Sequence, residues 1–134
     1  MKIQWTEELS VGVPQMDEQH KRWIEILNEF YDAVERGERE EGIRKLFQGV
    51  EEYTSFHFNA EEQFMAEIGY PDLEDHRKTH QHLKEEVLSA RKRYDQGDQK
   101  AARELVAFVI SWLYTHIAKT DKKYGEYYAS RQQR

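Results

Sequence analysis

The sequence contains no cysteine. Disulfide bonds, thiolate catalysis and iron–sulfur clusters are therefore excluded. Glycine and proline are also scarce, at seven and two of 134 residues, which favours helices with short connections over a strand-rich fold. The length predicts a single domain over residues 1–134 that can bury a core of its own.

The sequence also lacks a clustered basic segment and a long apolar run. Its formal net charge is −6 at pH 7, so nucleic acid is not an expected partner. The longest apolar candidate, residues 105–113, is far shorter than the roughly 20 residues of a membrane helix, so no membrane insertion is expected. Residues 1–5 lack the apolar stretch of a signal peptide, which favours a cytoplasmic location. We also expect the chain to be a monomer.

Four segments carry apolar residues at helical spacing. The first covers about residues 17–36 and the second about 39–68. The third begins at Asp72 as N-cap, and the fourth follows a second N-cap at Asp98. Glycines at 37, 69 and 97 are placed to end the first three segments. Because the junctions are short, we predict an all-α, up-down-up-down four-helix bundle.

Residues 1–16 precede the first predicted helix. They contain the apolar side chains of Trp5, Val11 and Val13 but no helical periodicity. We therefore predict an extended N-terminal arm that packs these three side chains on the bundle surface.

Five of the six histidines fall on the apolar stripes of the predicted helices. The sixth, His82, follows His80 by two residues and is therefore turned by about 200° to the solvent side. In this topology the helix starts and ends that carry the other histidines all lie at one end of the bundle. That end would gather five imidazoles and one carboxylate: His20, His57, Glu61, His76, His80 and His116.

Two readings of these histidines are possible. A single buried histidine is usually a hydrogen-bonded core residue rather than a ligand. Five imidazoles together in an apolar core would each need a polar partner, which favours a metal site. The pairs His57/Glu61 and His76/His80 are each four residues apart, so both members of a pair share one helix face.

Asp121 is the predicted second carboxylate, five residues after His116. In a regular helix it would point about 140° away from His116. We therefore predict that the fourth helix breaks, or makes a π-type turn, between Ile117 and Asp121. A short C-terminal helix would follow over residues 122–128.

Imidazole and carboxylate ligands suit iron, zinc, copper or nickel. Two octahedral ions offer twelve positions, of which five histidines, two bridging carboxylates and one oxide or hydroxide bridge would fill eleven. One open position in a dry pocket suits a small diatomic ligand. The candidate walls of that pocket are bulky apolar residues: Trp23, Ile24, Phe58, Trp112, Leu113 and Ile117. Asp17, Glu62 and backbone carbonyls are the expected partners of the outer ring nitrogens.

The order and spacing of these residues resemble the hemerythrins, and the chain is similar in length to the single-domain bacteriohemerythrins. The motifs that carry the resemblance are His20, His57-Phe58-x-x-Glu61, His76-x-x-x-His80 and His116-Ile117-x-x-x-Asp121, with Trp5, Val11-Gly12-Val13 and Met16-Asp17 upstream. The resemblance implies two iron ions bridged by oxide or hydroxide, with dioxygen as the ligand.

The resemblance also implies a role for each ligand. One iron would be held by His76, His80 and His116, and the other, which carries the open position, by His20 and His57. Glu61 and Asp121 would bridge the two ions.

Several functions remain open on this ligand set. The leading hypothesis is an oxygen carrier or store, not an enzyme, that could deliver oxygen to an oxygen-consuming partner enzyme. The alternatives are a di-iron peroxidase, oxidase or nitric oxide-reducing enzyme, and an oxygen-sensing module. Iron storage is disfavoured because a two-ion site consumes every coordinating group.

Overall fold

Four long helices build the fold, each with one apolar face turned inward. They are α1 (Pro14–Glu35), α2 (Arg39–Glu67), α3 (Leu73–Asp95) and α4 (Ala101–Thr115). The structure is a computed structural model that describes residues 3–132, without the side chain at position 132. Within that range no strand is present, which confirms the all-α prediction.

Short connections make consecutive helices antiparallel, as predicted for an up-down-up-down bundle. Helix α1 packs on α2, α2 on α3 and α3 on α4. The ring of Trp23 from α1 meets the ring of Trp112 from α4 at 5.5 Å, which closes the bundle. None of the helices in the described range has the length and apolar character to cross a membrane.

The ends of α1, α2 and α3 share one backbone motif. At the end of α1, Gly37 has a φ of 77°, a conformation that side chains disfavour. The N–H of Glu38 then donates to the carbonyl of Ala33 at 2.8 Å, and the N–H of Gly37 donates to Val34 at 3.1 Å. These two bonds satisfy carbonyls that the helix end leaves free. The same pattern recurs at Gly69 and Gly97, so the three predicted stops are confirmed.

The helix starts depart from the prediction. Helix α1 begins at Pro14 rather than Asp17, because proline suits the first helical position. Asp72 occupies the N-cap position of α3 but makes no capping hydrogen bond with its side chain. Asp98 accepts a hydrogen bond from the N–H of Lys100 at 3.0 Å, within a turn that precedes α4. Asp98 therefore shapes the connection and is not the N-cap of the helix.

The N-terminal arm is shorter and less extended than predicted. Residues 7–9 form a 3₁₀ turn, and residues 14–16 belong to α1, while residues 1–2 lie outside the described range. Val11 and Val13 are buried and Trp5 is partly buried, which confirms their predicted packing. Asn28 anchors the arm to α1 by accepting from the N–H of Ile3 and donating to its carbonyl, both at 2.8 Å.

The predicted irregularity after α4 is present. Residues His116–Asp121 form a π-helical segment, and α5 (Lys122–Gln132) follows it, four residues longer than predicted. Helix α5 lies directly against the arm at Gly125. A Cβ built at that position would stand 1.8 Å from the carbonyl oxygen of Val11, so only glycine fits this contact.

The core has two ends of different character. We call the end that contains the π-helical segment the site end, and the opposite end the distal end. The distal end holds apolar side chains, all buried: Phe30, Ile43, Leu46, Ala90, Ala102 and Leu105.

Candidate metal centre

Seven polar side chains meet in the site end of the core. Helix α1 supplies one of them, α2 and α3 two each, and the boundaries of the π-helical segment the last two. Each is at most 2% exposed: His20, His57, Glu61, His76, His80, His116 and Asp121. The residues that the sequence predicted as ligands are therefore brought together, whereas His82 lies exposed on α3, as expected.

Three histidines form one group with the two carboxylates. The Nε2 atoms of His76 and His116 each lie 2.8 Å from Oδ1 of Asp121. The Nε2 atom of His80 lies 3.1 Å from Oε1 of Glu61. One ligand atom from each of these five residues falls within 4.8 Å of all the others, close enough for a single ion.

Two histidines form a second group with the same carboxylates. The Nε2 atom of His20 lies 3.1 Å from Oε2 of Glu61 and 3.2 Å from Oδ2 of Asp121. The Nε2 atom of His57 lies 3.4 Å from Oε2 of Glu61. Each carboxylate therefore turns one oxygen to the three-histidine group and the other to the two-histidine group.

Several inward-facing atoms lie close to one another but form no hydrogen bond, because the angles between them are unsuitable. Nε2 of His57, Nε2 of His80, Oε1 of Glu61 and both oxygens of Asp121 are buried in this state. The Nε2 atoms of His76 and His116 face each other at 3.0 Å. Buried polar atoms without partners are destabilising, and cations would give these nitrogens and oxygens their partners. The donor set therefore fits a pair of metal ions.

The charges of the site also suit metal binding. Burial disfavours ionised Glu61, but the nearby His57, His20 and His80 hold its pKa well below the usual range. Burial and Glu61 likewise oppose ionisation of Asp121, yet the neighbouring His116 and His20 lower its pKa. Both carboxylates are thus ionised at neutral pH, as metal ligands must be.

The histidines respond to these carboxylates in different ways. Burial lowers the pKa of His20, but Asp121 and Glu61 outweigh burial and raise it to about 9. Burial dominates at His116, whose pKa is lowered. A cation that binds His20 must therefore displace a proton, whereas His116 is already the neutral ligand form.

Aromatic side chains cover one side of the site. Trp23, Phe58 and Trp112 contact one another with ring centroids 5.5–5.6 Å apart. Phe58 stacks on His80 at 3.7 Å, and Trp112 stacks on His116 at 3.9 Å. Trp112 is partly buried, while Trp23 and Phe58 are fully enclosed.

The other predicted pocket residues belong to the same core. Ile24, Leu113 and Ile117 are all buried, at 5%, 3% and 0% exposure. Ile117 directly follows His116 in the π-helical segment. Their contribution to a ligand pocket stays a prediction.

Two of the outer ring nitrogens have side-chain partners, whereas Nδ1 of His20 and Nδ1 of His116 are buried without the expected backbone-carbonyl partner. Nδ1 of His80 lies 2.9 Å from Oε2 of Glu62, which confirms the expected role of Glu62. Nδ1 of His57 lies 2.7 Å from Oε1 of Gln19, a partner that the sequence did not suggest. Asp17 was wrongly expected in this role. Asp17 accepts instead from the hydroxyl of Ser10 at 2.5 Å and from the N–H of Val11 at 2.9 Å. These two bonds hold the arm against the start of α1.

Tyr124 is a further site residue that the sequence analysis missed. Its hydroxyl donates a hydrogen bond to Oε2 of Glu61 at 2.6 Å, and its ring is fully buried. Burial, together with Glu61 and Asp121, raises the pKa of Tyr124 well above its usual value, so the phenol keeps its proton. Tyr124 lies about one turn after Asp121, so the predicted π-type turn could have indicated that both side chains face the site.

Fold and site together define a four-helix bundle with a histidine-rich candidate site for two cations. The family model described as "Hemerythrin HHE cation binding domain" matches residues 11–128. The chain belongs to the hemerythrin family.

Individual relatives agree with this assignment. The bacteriohemerythrin of Clostridium acetobutylicum is 30% identical over 124 residues, which cover 90% of this chain and 96% of the relative. The bacteriohemerythrin of Methylococcus capsulatus is 33% identical over 122 residues, covering 90% and 92%. A crystal structure of wild-type hemerythrin matches with a TM-score of 0.82 at 30% identity, over 92% of this chain and 95% of that one.

Proposed function

We propose that this chain binds dioxygen reversibly at a pair of iron ions. The observation that carries the proposal is the placement of Glu61 and Asp121, each of which turns one oxygen to the three-histidine group and the other to the two-histidine group. Two carboxylates in this arrangement can bridge two ions that share the five histidines. Iron is the metal that the family resemblance implies.

The unequal histidine groups support a single binding position for oxygen. With three histidines on one ion and two on the other, both carboxylates and one bridging oxygen atom would leave one position open. That position would fall on the side of His20 and His57. When bound, the iron pair would supply the electrons for reversible binding of dioxygen.

The surroundings of the two-histidine group favour a carrier over an enzyme. The ring of Trp23 lies 5.5 Å from the ring of His57, and Trp23 contacts Phe58 and Trp112 on its other sides. Apolar rings in this place would exclude water from the site, and that would protect a reduced site from loss of activated oxygen to solvent. Ile24, Leu113 and Ile117 would complete the apolar wall.

The hydrogen bond from Tyr124 to Glu61 also favours metal binding. The tyrosine hydroxyl holds Oε2 of Glu61 in place and keeps its own proton. The carboxylate is therefore fixed before any cation arrives, and preorganised ligands bind metal more tightly.

Optical spectroscopy tests this proposal. The protein is loaded with Fe²⁺ without oxygen, exposed to air, and then flushed with argon. We expect a visible charge-transfer band that appears with oxygen and disappears when oxygen is removed, over repeated cycles. The matched control is the His82→Gln variant, which retains all seven candidate ligands and should give the same band.

Two results would contradict reversible carriage. Rapid irreversible oxidation with consumption of peroxide or nitric oxide would assign the site to a di-iron enzyme instead. Preferential retention of zinc, or fewer than about two metal ions per folded chain, would contradict the iron pair itself.

A further inference from the structure

The two histidine groups differ in the charge of the side chain that holds an outer ring nitrogen. In the three-histidine group, the partner of His80 is the carboxylate of Glu62 at 2.9 Å. In the two-histidine group, the partner of His57 is the neutral amide of Gln19 at 2.7 Å. Because Nε2 of both rings faces the site, Nδ1 carries the hydrogen and donates it outward.

A carboxylate acceptor strengthens an imidazole as a metal ligand more than an amide does. Hydrogen bonds to an ionised acceptor are roughly twice as strong as neutral ones, and they place more negative charge on the ring. His80 should therefore be a better electron donor at Nε2 than His57.

Glu62 is held in position for this role from a second side. Its Oε1 atom lies 3.3 Å from Nε of Arg77 on α3, which leaves Oε2 free for His80. The Glu62 side chain is 20% exposed, so bulk water screens its hydrogen bond only in part.

We infer that Glu62 and Gln19 are positioning residues that widen the difference in affinity between the two metal positions. The position of His76, His80 and His116 fills first, and the charge of Glu62 contributes to that order beyond the greater number of ligands. This inference rests on the proposed two-metal site, but it does not depend on oxygen binding.

Stepwise titration with Co²⁺ tests the inference, because its visible absorption reports coordination. Protein stripped of metal by chelation is titrated as wild type, Glu62→Gln, Gln19→Glu and the double variant, against a competing chelator. Glu62→Gln should weaken the first binding step by about 10- to 100-fold. Gln19→Glu should strengthen the second step, so the gap between the two steps is smallest in the double variant.

Proton NMR identifies which position fills first. The first equivalent of Co²⁺ should give the large contact shifts of directly bound ligands to the ring N–H signals of His76, His80 and His116, and only the smaller through-space shifts to those of His20 and His57. A first equivalent that gives the large contact shifts to His20 and His57 instead would overturn the inference.

Glu51→Gln is the matched control. Glu51 is also on α2 and pairs with an arginine of α3, Arg91, at 2.9 Å, but it does not contact a candidate ligand. It should leave both binding steps unchanged. If Glu51→Gln and Glu62→Gln have equal effects on the two binding steps, the loss of one negative charge from the protein explains the result and the inference fails.

The remaining outcomes separate this inference from the proposed function. Two Co²⁺ ions bound with an unchanged gap in the double variant overturn the inference alone. Fewer than two ions bound by the wild type overturn the two-metal site and, with it, both proposals. The expected gap change without a reversible oxygen band would overturn oxygen carriage and support the inference.

Discussion

The site end and the distal end of the bundle are stabilised in different ways. At the distal end, regular helices bury apolar side chains such as Leu46 and Leu105, and removal of that surface from water stabilises the fold directly. At the site end, the core contains two carboxylates and five imidazoles, and several of their atoms lack hydrogen-bond partners. The distal end therefore supplies stability, while the site end loses some stability by keeping the candidate ligands close together.

Of these substitutions, Glu61→Ala should have the largest effect, which is a loss of iron from the site end. Glu61 contacts His20, His57 and His80 and accepts the hydrogen bond of Tyr124, so its loss affects both histidine groups. We expect iron content to fall from about two ions per chain to below about one. The measurement is the iron-to-protein ratio after anaerobic loading and gel filtration. Full iron retention in a folded variant would refute a bridging role for Glu61.

Leu46→Ala should destabilise the distal end and leave the metal content of the site end unchanged. Leu46 is 2% exposed, and truncation of such a core leucine lowers the free energy of unfolding by about 2–5 kcal/mol. Urea unfolding of the protein without added metal measures this loss. Iron content of the folded variant should equal that of the wild type, and a parallel loss of iron would show that the two ends are not independent.

Gly125→Ala should loosen the contact between the N-terminal arm and α5. The added Cβ would overlap the carbonyl oxygen of Val11, and backbone atoms cannot move aside cheaply. We expect a loss of about 1–3 kcal/mol in the free energy of unfolding.

Gly49→Ala is the control for that variant. Its Cβ would meet the side chain of Ile26 at 3.0 Å, which can shift, and alanine favours the helix. The expected change is below about 1 kcal/mol. Equal losses in the two variants would show that the close contact at Val11 has no special weight.

His82→Ala should have the smallest effect. His82 is exposed on α3, two residues from His80, and its ring contacts Phe108 at a centroid distance of 6.2 Å. Iron content should stay unchanged, and stability should change by no more than about 0.5 kcal/mol. Iron loss equal to that of His76→Ala would show that histidine number, rather than placement, controls loading.

Residues that act within their own helix were predictable from the sequence. Spacing separated His82 from the buried histidines because a helix fixes the direction of each side chain. The five-residue interval from His116 to Asp121 predicted the π-helical segment, since a regular helix would turn Asp121 away from the site.

Residues whose partners lie on another element were not predictable in the same way. Gln19 faces His57 and Tyr124 faces Glu61 across helix–helix contacts, which depend on the rotation of each helix in the bundle. Asp17 has the chemistry expected of a histidine partner, but the turn of the arm takes both of its oxygens. Spacing within one helix therefore identified the candidate ligands better than the side chains that support them.

The π-helical segment gives this end of the bundle an unusual genetic property. A π-type turn holds one extra residue, so deletion of one codon within it, such as that of Lys119, would leave His116 and Asp121 four residues apart. A regular helix places residues at that spacing on one face, so Asp121, Tyr124 and Gly125 would keep their orientation. The same deletion within a regular helix would instead rotate every later residue by about 100°. The π-helical segment is therefore the place where this part of the chain can change its length by one residue without turning the candidate ligand away from the site.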